Sequence, residues 1–186
     1  MRYSSNHKAE TRRRIIGEAS RRFRKDGIEG TGLVPLMKAL GLTHGGFYAH
    51  FTSKDALVQA SLEAAADDTL ERWPDPQDGA QLRTFVDQYL SPQHRDGPEE
   101  GCPLSSLSAE LGLRGTPSAT SDAMIARLAG RLEDCDLGGP EPDHGIVALA
   151  AMVGAITLAR SVADRATSDR ILDAVRAALL PPPSAG

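Results

Sequence analysis

The stretch from Gly41 to Leu57, Gly-Leu-Thr-His-Gly-Gly-Phe-Tyr-Ala-His-Phe-Thr-Ser-Lys-Asp-Ala-Leu, constrains this chain more than any other segment. Phe47 and Phe51 are four residues apart and share one helical face, on which Tyr48 and His50 cannot lie. The helix they predict is too short to hold itself together, so the two rings must anchor it on neighbouring helices. Its other face carries Thr43, His44, Gly46, Tyr48 and Ala49, a mixture of hydrogen-bond donors and very small side chains. Such a face suits a nucleic-acid groove, where donors meet phosphates and little bulk separates backbone from bases. A helix-interior glycine costs about 1 kcal/mol, and close approach to DNA is a reason to keep both Gly45 and Gly46. A second, freshly capped helix then follows, beginning at Lys54.

The residues upstream complete a three-helix unit. Ile15, Ile16, Ala19 and Phe23 recur at helical spacing and predict an amphipathic helix from Lys8 to Asp26, ended by Gly27. Thr31 or Gly32 can open the next helix, with Pro35 in its first turn, where a missing N–H matters little. Leu36, Met37 and Leu40 would face the core, Gly41 would make the sharp turn and Thr43 would cap the third helix. This order is that of a helix-turn-helix DNA-binding unit.

In these residues the chain resembles the TetR/AcrR family of transcriptional regulators. The matching residues are Phe23, Gly27 and Thr31, the run from Ala39 to Phe51, and Ser53-Lys54-Asp55-Ala56-Leu57, together covering roughly the first third of the chain. The resemblance implies phosphate contacts from Thr31, Thr43, Tyr48, His50 and Lys54, with His44 and Gly46 facing bases. His44 stands where the family often has Lys or Arg, which replaces a permanent charge by one mostly absent near neutral pH. Ala49 stands where a second aromatic is frequent, leaving at most a methyl contact to a thymine. Arg12, Arg13 and Arg14 can be a solvated helix face or can lie near the DNA backbone.

Charge is unevenly distributed. The whole chain is acidic, with 21 Lys and Arg against 25 Asp and Glu, yet residues 1–59 hold 11 basic and 5 acidic side chains. A basic head on an acidic body places an electrostatic footprint for DNA at one end. At 186 residues the chain has room for that head and one larger core. The division expected is residues 1–53 for a helix-turn-helix domain and 54–186 for a regulatory and dimerisation domain. The first residues lack the apolar run of a signal peptide. The charge-free stretch Gly145–Ala159 has 15 residues, short of a bilayer span. A cytoplasmic protein with no membrane partner is expected.

Beyond the head the pattern is all-α. Helices are expected from Lys54 to Arg72, ended by Pro74 and Pro76, and from Gln81 to Leu90. Further helices are expected over Pro103–Leu111, Ser118–Leu132, His144–Asp164 and Ser168–Leu180. Ser91–Gly101 and Leu137–Asp143 read as loops, and Pro181-Pro182-Pro183 as an extended tail. The His144–Asp164 helix is apolar all round and must be covered all round. A second copy of the same chain is the simplest cover for its outer face. With the last helix this predicts a four-helix dimer contact through Ile146, Ala150, Val153, Thr157, Ile171, Val175 and Leu179. The alternative is a wholly internal core helix. The resemblance favours the dimer, because the family's members usually pair through their last two helices, and paired recognition helices read a palindromic operator.

The middle of the chain is expected to sense an unidentified small-molecule effector. Candidate pocket walls are Trp73, Phe85, Tyr89, Leu104, Leu107, Met124, Leu128 and Met152, each of which can also be ordinary core. Cys102, next to Pro103 at an expected helix start, offers a second reading as an electrophile- or redox-sensing thiolate. Glu99 and Glu100 oppose a negative charge there, and a lone cysteine can be a small buried apolar residue. Cys135, among Glu133, Asp134 and Asp136, is expected to stay protonated. Phosphate-binding glycine loops, metal-ligand spacings and nucleophile elbows are absent from the sequence. No enzyme, metal or cofactor is therefore expected, and operator DNA, a second copy and the effector are the expected partners. The overall expectation is a homodimeric repressor released from DNA by a ligand. A ligand-independent structural DNA-binding protein is the remaining alternative.

Overall fold

The computed structural model describes residues 2–73, 75–115, 117–133 and 143–180, and among these no strand occurs. The expectations for Pro74, Cys135, residues 137–142 and the triple-proline tail fall outside the described residues. In chain order the helices are α1 (Arg2–Asp26), α2 (Leu33–Ala39), α3 (His44–Phe47), α4 (Lys54–Arg72), α5 (Gly79–Tyr89) and α6 (Pro92–Asp96). A 3₁₀ turn (Pro98–Glu100) precedes α7 (Leu104–Leu113), α8 (Ala119–Glu133), α9 (His144–Ser161) and α10 (Arg165–Leu179).

The chain packs as two compact units, one formed by Met1–Thr69 with Pro98–Ser118, the other by Leu70–Gly97 with Ala119–Gly186. The first is built round Ile15, Ala19 and Phe23 of α1, Ile28, Leu36 and Met37, Phe47 and Phe51, Leu57, Val58 and Leu62 of α4, and Leu107 of α7. α1 starts six residues before the expected Lys8. Its added residues are mostly polar, so an apolar period could not reveal them. α2 is entered from Gly32 without a side-chain cap, and Pro35 sits in its first turn, where its ring displaces no helical hydrogen bond. Gly41 has φ +72°, a left-handed conformation that a side chain would strain. There the amides of Gly41 and Leu42 fold back onto the carbonyls of Lys38 and Met37 at 3.0 and 2.9 Å.

In the second unit α8, α10 and α6 each pack on α9. The loop expected over Ser91–Gly101 contains α6 and the 3₁₀ turn instead. Ser91 caps α6 by accepting the His94 amide at 3.1 Å, and Pro92 occupies its first turn. Polar composition hid this helix because its polar groups are used internally. Arg95, 3% exposed, donates to Asp96, Asp169 and Ser168. Arg160 donates to the carbonyls of His94 and Arg95 at 2.7 and 2.9 Å. α9 ends at Ser161 rather than Asp164, because Asp164 caps α10 by accepting the Thr167 amide at 2.9 Å.

α9 has 18 residues with a mean hydropathy of 1.4, so by length and composition it could cross a membrane, contrary to the count from charge-free residues alone. Its Ala148, Leu149, Met152, Ala155, Ile156 and Ala159 face is buried within its own unit, which is how the core helix of a helical domain passes the same test. Ile146, Val147 and Leu158 on the other side are 49%, 65% and 57% exposed.

Candidate DNA-binding face

The short α3 is held from beneath, as the aromatic spacing requires. Phe47 is fully buried and Phe51 nearly so, with ring centroids 5.6 Å apart and planes close to parallel. α3 itself is a single turn, and the chain continues to Phe51 through amides of His50 and Phe51 that share the Phe47 carbonyl at 2.9 and 3.1 Å. Thr43 is the N-cap, its hydroxyl oxygen accepting the Gly46 amide at 3.2 Å. The cap uses the oxygen and leaves the hydroxyl hydrogen to donate outward.

Above this base lies a face that the protein itself does not cover. His44 and Tyr48 are exposed, with Tyr48 at 61% and edge-on to both Phe47 and His44 at 5.2 and 5.8 Å. A methyl group added at Gly45 would meet nothing within 4 Å, and one at Gly46 would touch only the Thr43 hydroxyl at 3.4 Å. The fold therefore makes no demand for glycine at position 45. His50 is half-buried, and its Nδ1 is buried with no hydrogen-bond partner among the described residues. Its pKa is lowered, first by burial and then by the positive charges of Lys8 and Arg12. Lys54 is half-buried at the start of α4, whose first turn is capped by Ser53 accepting the Ala56 amide at 3.1 Å.

Thr31 departs from its expected role. It is 3% exposed, and its hydroxyl donates to the Gly27 carbonyl at 2.8 Å, so no hydrogen is left for a phosphate. It ties the end of α1 to the start of α2. Two of the three consecutive arginines of α1 pack at this base. Arg12 lies over the Phe51 ring, 4.8 Å from its centroid, and Arg14 donates to the Leu40 carbonyl of the turn at 3.1 Å. No short-range pattern distinguishes these from their arginine neighbour, since only the packing of α1 on the turn selects them.

The candidate effector residues divide between the two units. Trp73, Phe85, Tyr89, Met124, Leu128 and Met152 are buried in the second. Trp73, Phe85 and Tyr89 form one aromatic cluster with centroids 5.1 to 6.1 Å apart. His94, absent from the sequence expectation, joins it 4.6 Å from Tyr89, with Nδ1 at 2.7 Å from the Tyr89 carbonyl. Burial, outweighing that hydrogen bond and helped by the positive charges of Arg160 and Arg72, pushes the His94 pKa down to about 4. Trp73 and Phe85 also border a cleft of about 260 Å³ with Arg72, Gln81, Thr84 and Gln88. Cys102, Leu104 and Leu107 lie instead in the first unit, where Leu107 is part of the core. The Cys102 side chain is fully buried, and the N-cap of α7 is Pro103, one residue beyond the position that would place the thiol at the cap.

A turn held by two buried rings, with an uncovered polar face rich in glycine and donors, defines the class of helix-turn-helix proteins. Residues 15–61 match the profile described as "Bacterial regulatory proteins, tetR family". The regulator TtgR of Pseudomonas putida is 44% identical over 55 residues, which are 30% of this chain and 26% of TtgR. The chain thus spans about a quarter of the length of that relative. A TetR transcriptional regulator from Chloroflexus aurantiacus has a similar fold over 92% of this chain and 94% of its own, with TM-score 0.74 and 24% identity. AibR, solved with isovaleryl coenzyme A and operator DNA, matches with TM-score 0.65 and 22% identity over 92% of this chain and 98% of its own. Over residues 15–61 the chain is thus similar to the TetR family of transcriptional regulators.

Proposed function

We propose that this protein is a homodimeric, sequence-specific DNA-binding transcriptional regulator, a cytoplasmic repressor released from a palindromic operator by a small-molecule ligand. Residues 1–53 form the DNA-binding head, and residues 54–186 carry regulation and pairing. The observation that carries the reading is the uncovered face of α3, where Gly45 is left open, Tyr48 is exposed and the Thr43 hydroxyl, capping through its oxygen, keeps its hydrogen to donate. Thr43, Tyr48, His50 and Lys54 bind phosphates, while His44 and Gly46 face bases. Two copies pair through the outer faces of α9 and α10, which presents two heads to the two halves of a palindrome.

The effector acts in the second unit, at the aromatic cluster or its adjoining cleft. That AibR was solved with both a coenzyme A thioester and operator DNA supports a ligand acting on the same fold. α4 runs unbroken from Lys54 to Arg72, and residues of both units lie along it. A ligand that binds one arrangement of the units better than another shifts operator affinity by that difference. An electrophile-sensing role for Cys102 has less support, because a fully buried thiol offers no access to a reagent.

Selection of duplexes from genomic DNA by the purified protein tests the reading. It should yield a palindromic site bound with steep salt dependence, as phosphate neutralisation requires. Tyr48→Phe should weaken binding by roughly 1.5 kcal/mol or more, the value of a hydrogen bond to a charged group. Recovery of no common sequence, or undiminished binding by Tyr48→Phe at several salt concentrations, would refute it.

A further inference from the structure

The turn that joins α1 to α2 is held by a side chain eighty residues away. Glu110, half-buried on α7, accepts the Ile28 amide at Oε2 and the Glu29 amide at Oε1, each at 2.8 Å. Two consecutive backbone amides bonded by one carboxylate form a bidentate, charge-assisted clamp, roughly twice as strong per bond as a neutral pair. The clamp shapes its own receptor. Gly27 has φ +78°, which turns the following amides toward α7, and a methyl group at Gly27 would lie 3.1 Å from Glu110 Oε2.

The same helix touches the head at three further points. Three residues before Glu110, Leu107 enters the first unit's core. Four residues after it, Arg114 pairs with Glu29 of the turn and with Asp55 on the first turn of α4, the latter at 2.6 Å. These spacings put Leu107, Glu110 and Arg114 on one side of α7. Just upstream, Arg24, 4% exposed, donates from α1 to the Gly101 carbonyl at 2.9 Å. Beyond the clamp the turn has little freedom left, since Thr31 donates back to Gly27 and its amide bonds the Ile28 carbonyl. α2 begins two residues later, and α2 packs on α3.

From this geometry we infer that Glu110 is a positioning residue for DNA recognition, setting from α7 the angle at which α2 and α3 are presented. A displacement of α7 then reaches the recognition face through the clamped amides, in addition to any path along α4. The inference rests on the DNA-binding reading above, and its test has one arm that does not.

In that arm, amide hydrogen exchange on the free full-length protein compares wild type with Glu110→Gln and Glu110→Ala. The Ile28 and Glu29 amides should be protected in wild type and lose at least tenfold protection in Glu110→Ala. Glu110→Gln should fall between, because its side chain has one acceptor oxygen. In the second arm, affinities for the selected operator and for a random duplex are measured alongside thermal unfolding. Leu107→Ala serves as a control that weakens the same core without removing the clamp. Glu110→Ala should bind the operator at least tenfold more weakly while its random-duplex affinity stays within twofold. Unchanged amide protection overturns the clamp. Operator affinity that tracks melting temperature alike in Glu110→Ala and Leu107→Ala overturns the positioning role, leaving a structural one. Absence of any preferred duplex for wild type would sink the DNA-binding reading while the exchange arm still decides the clamp.

Discussion

Among the described residues, the α3 face and the outer face of α9 are both left uncovered, and they differ in chemistry. On the α3 face, the uncovered groups are a hydroxyl, a phenol, an imidazole and a glycine that a methyl group could replace without a clash. On α9, they are Ile146, Val147, Ala150 and Leu158, with Val153 half-covered, and beside them the half-buried Ile171, Val175 and Leu179 of α10. The first surface is short, polar and backed by stacked rings, and it suits a charged, hydrated partner. The second is long and apolar, and exposing it to water is unfavourable by roughly 25 cal/mol per Å², which a second copy of the same surface would relieve. The contrast teaches that exposure has to be read together with chemistry, because each face points to a different kind of partner.

The largest expected effect breaks the apolar half of the contrast. Ala150→Glu places a charge on the outer face of α9, where pairing would bury it at a cost of about 3–5 kcal/mol. Sedimentation velocity should show monomers and operator affinity should fall at least a hundredfold; a variant that remains dimeric would remove α9 from the pairing surface.

Next comes acid, which should weaken the fold of the second unit. His94 in the second unit has a pKa of about 4 in the folded chain, against about 6.5 when unfolded. Between these values the unfolded chain binds more protons, so stability falls as pH falls from 6.5 through 4. The loss reaches about 3 kcal/mol when complete. Urea titrations at pH 7 and pH 4.5 should show a steeper loss for wild type than for His94→Gln; equal losses would contradict the assignment.

A smaller effect separates folding from binding on the polar face. Gly45→Ala should raise stability by up to about 1 kcal/mol, since its methyl meets open space. Operator affinity should nonetheless drop about tenfold if the backbone presses on bases. Parallel melting and anisotropy measurements check the pair of signs, and full affinity in the variant would leave Gly45 without a role in DNA contact.

The smallest effect concerns His50, whose pKa is depressed by burial, Lys8 and Arg12 in the free head. A nearby phosphate raises it again, so the complex takes up protons and operator affinity should rise as pH falls from 7.5 toward 5.5. The slope should not exceed one proton per head, and it should flatten in His50→Gln. A variant with the wild-type slope would take His50 out of phosphate contact.

Much of the first unit was legible because its signals are local. Phe47 and Phe51 four apart, Gly41 at a sharp turn, Thr43 as a cap and the full extent of α4 all follow from short-range spacing and side-chain chemistry. Other features escaped for identifiable reasons. The beginning of α1 has no apolar period. α6 is a polar helix whose Arg95 is buried against Ser168 and Asp169, more than seventy residues away, and whose His94 ring packs on Tyr89 and Trp73. Thr31 matched a family position, yet its hydroxyl had already been claimed by Gly27.

The sequence by itself determined that the chain is helical, that it carries a helix-turn-helix head and that α9 is too apolar for one side to cover. These are matters of period, capping and composition over a few residues. Only the tertiary structure decided which polar groups face inward, that Leu107 and Cys102 lie in the same unit as the head, and that Glu110 holds the α1–α2 turn. The reason is physical: a carboxylate's partners are fixed by what folding brings within 3 Å, and no spacing along the chain records an encounter between residues 28 and 110.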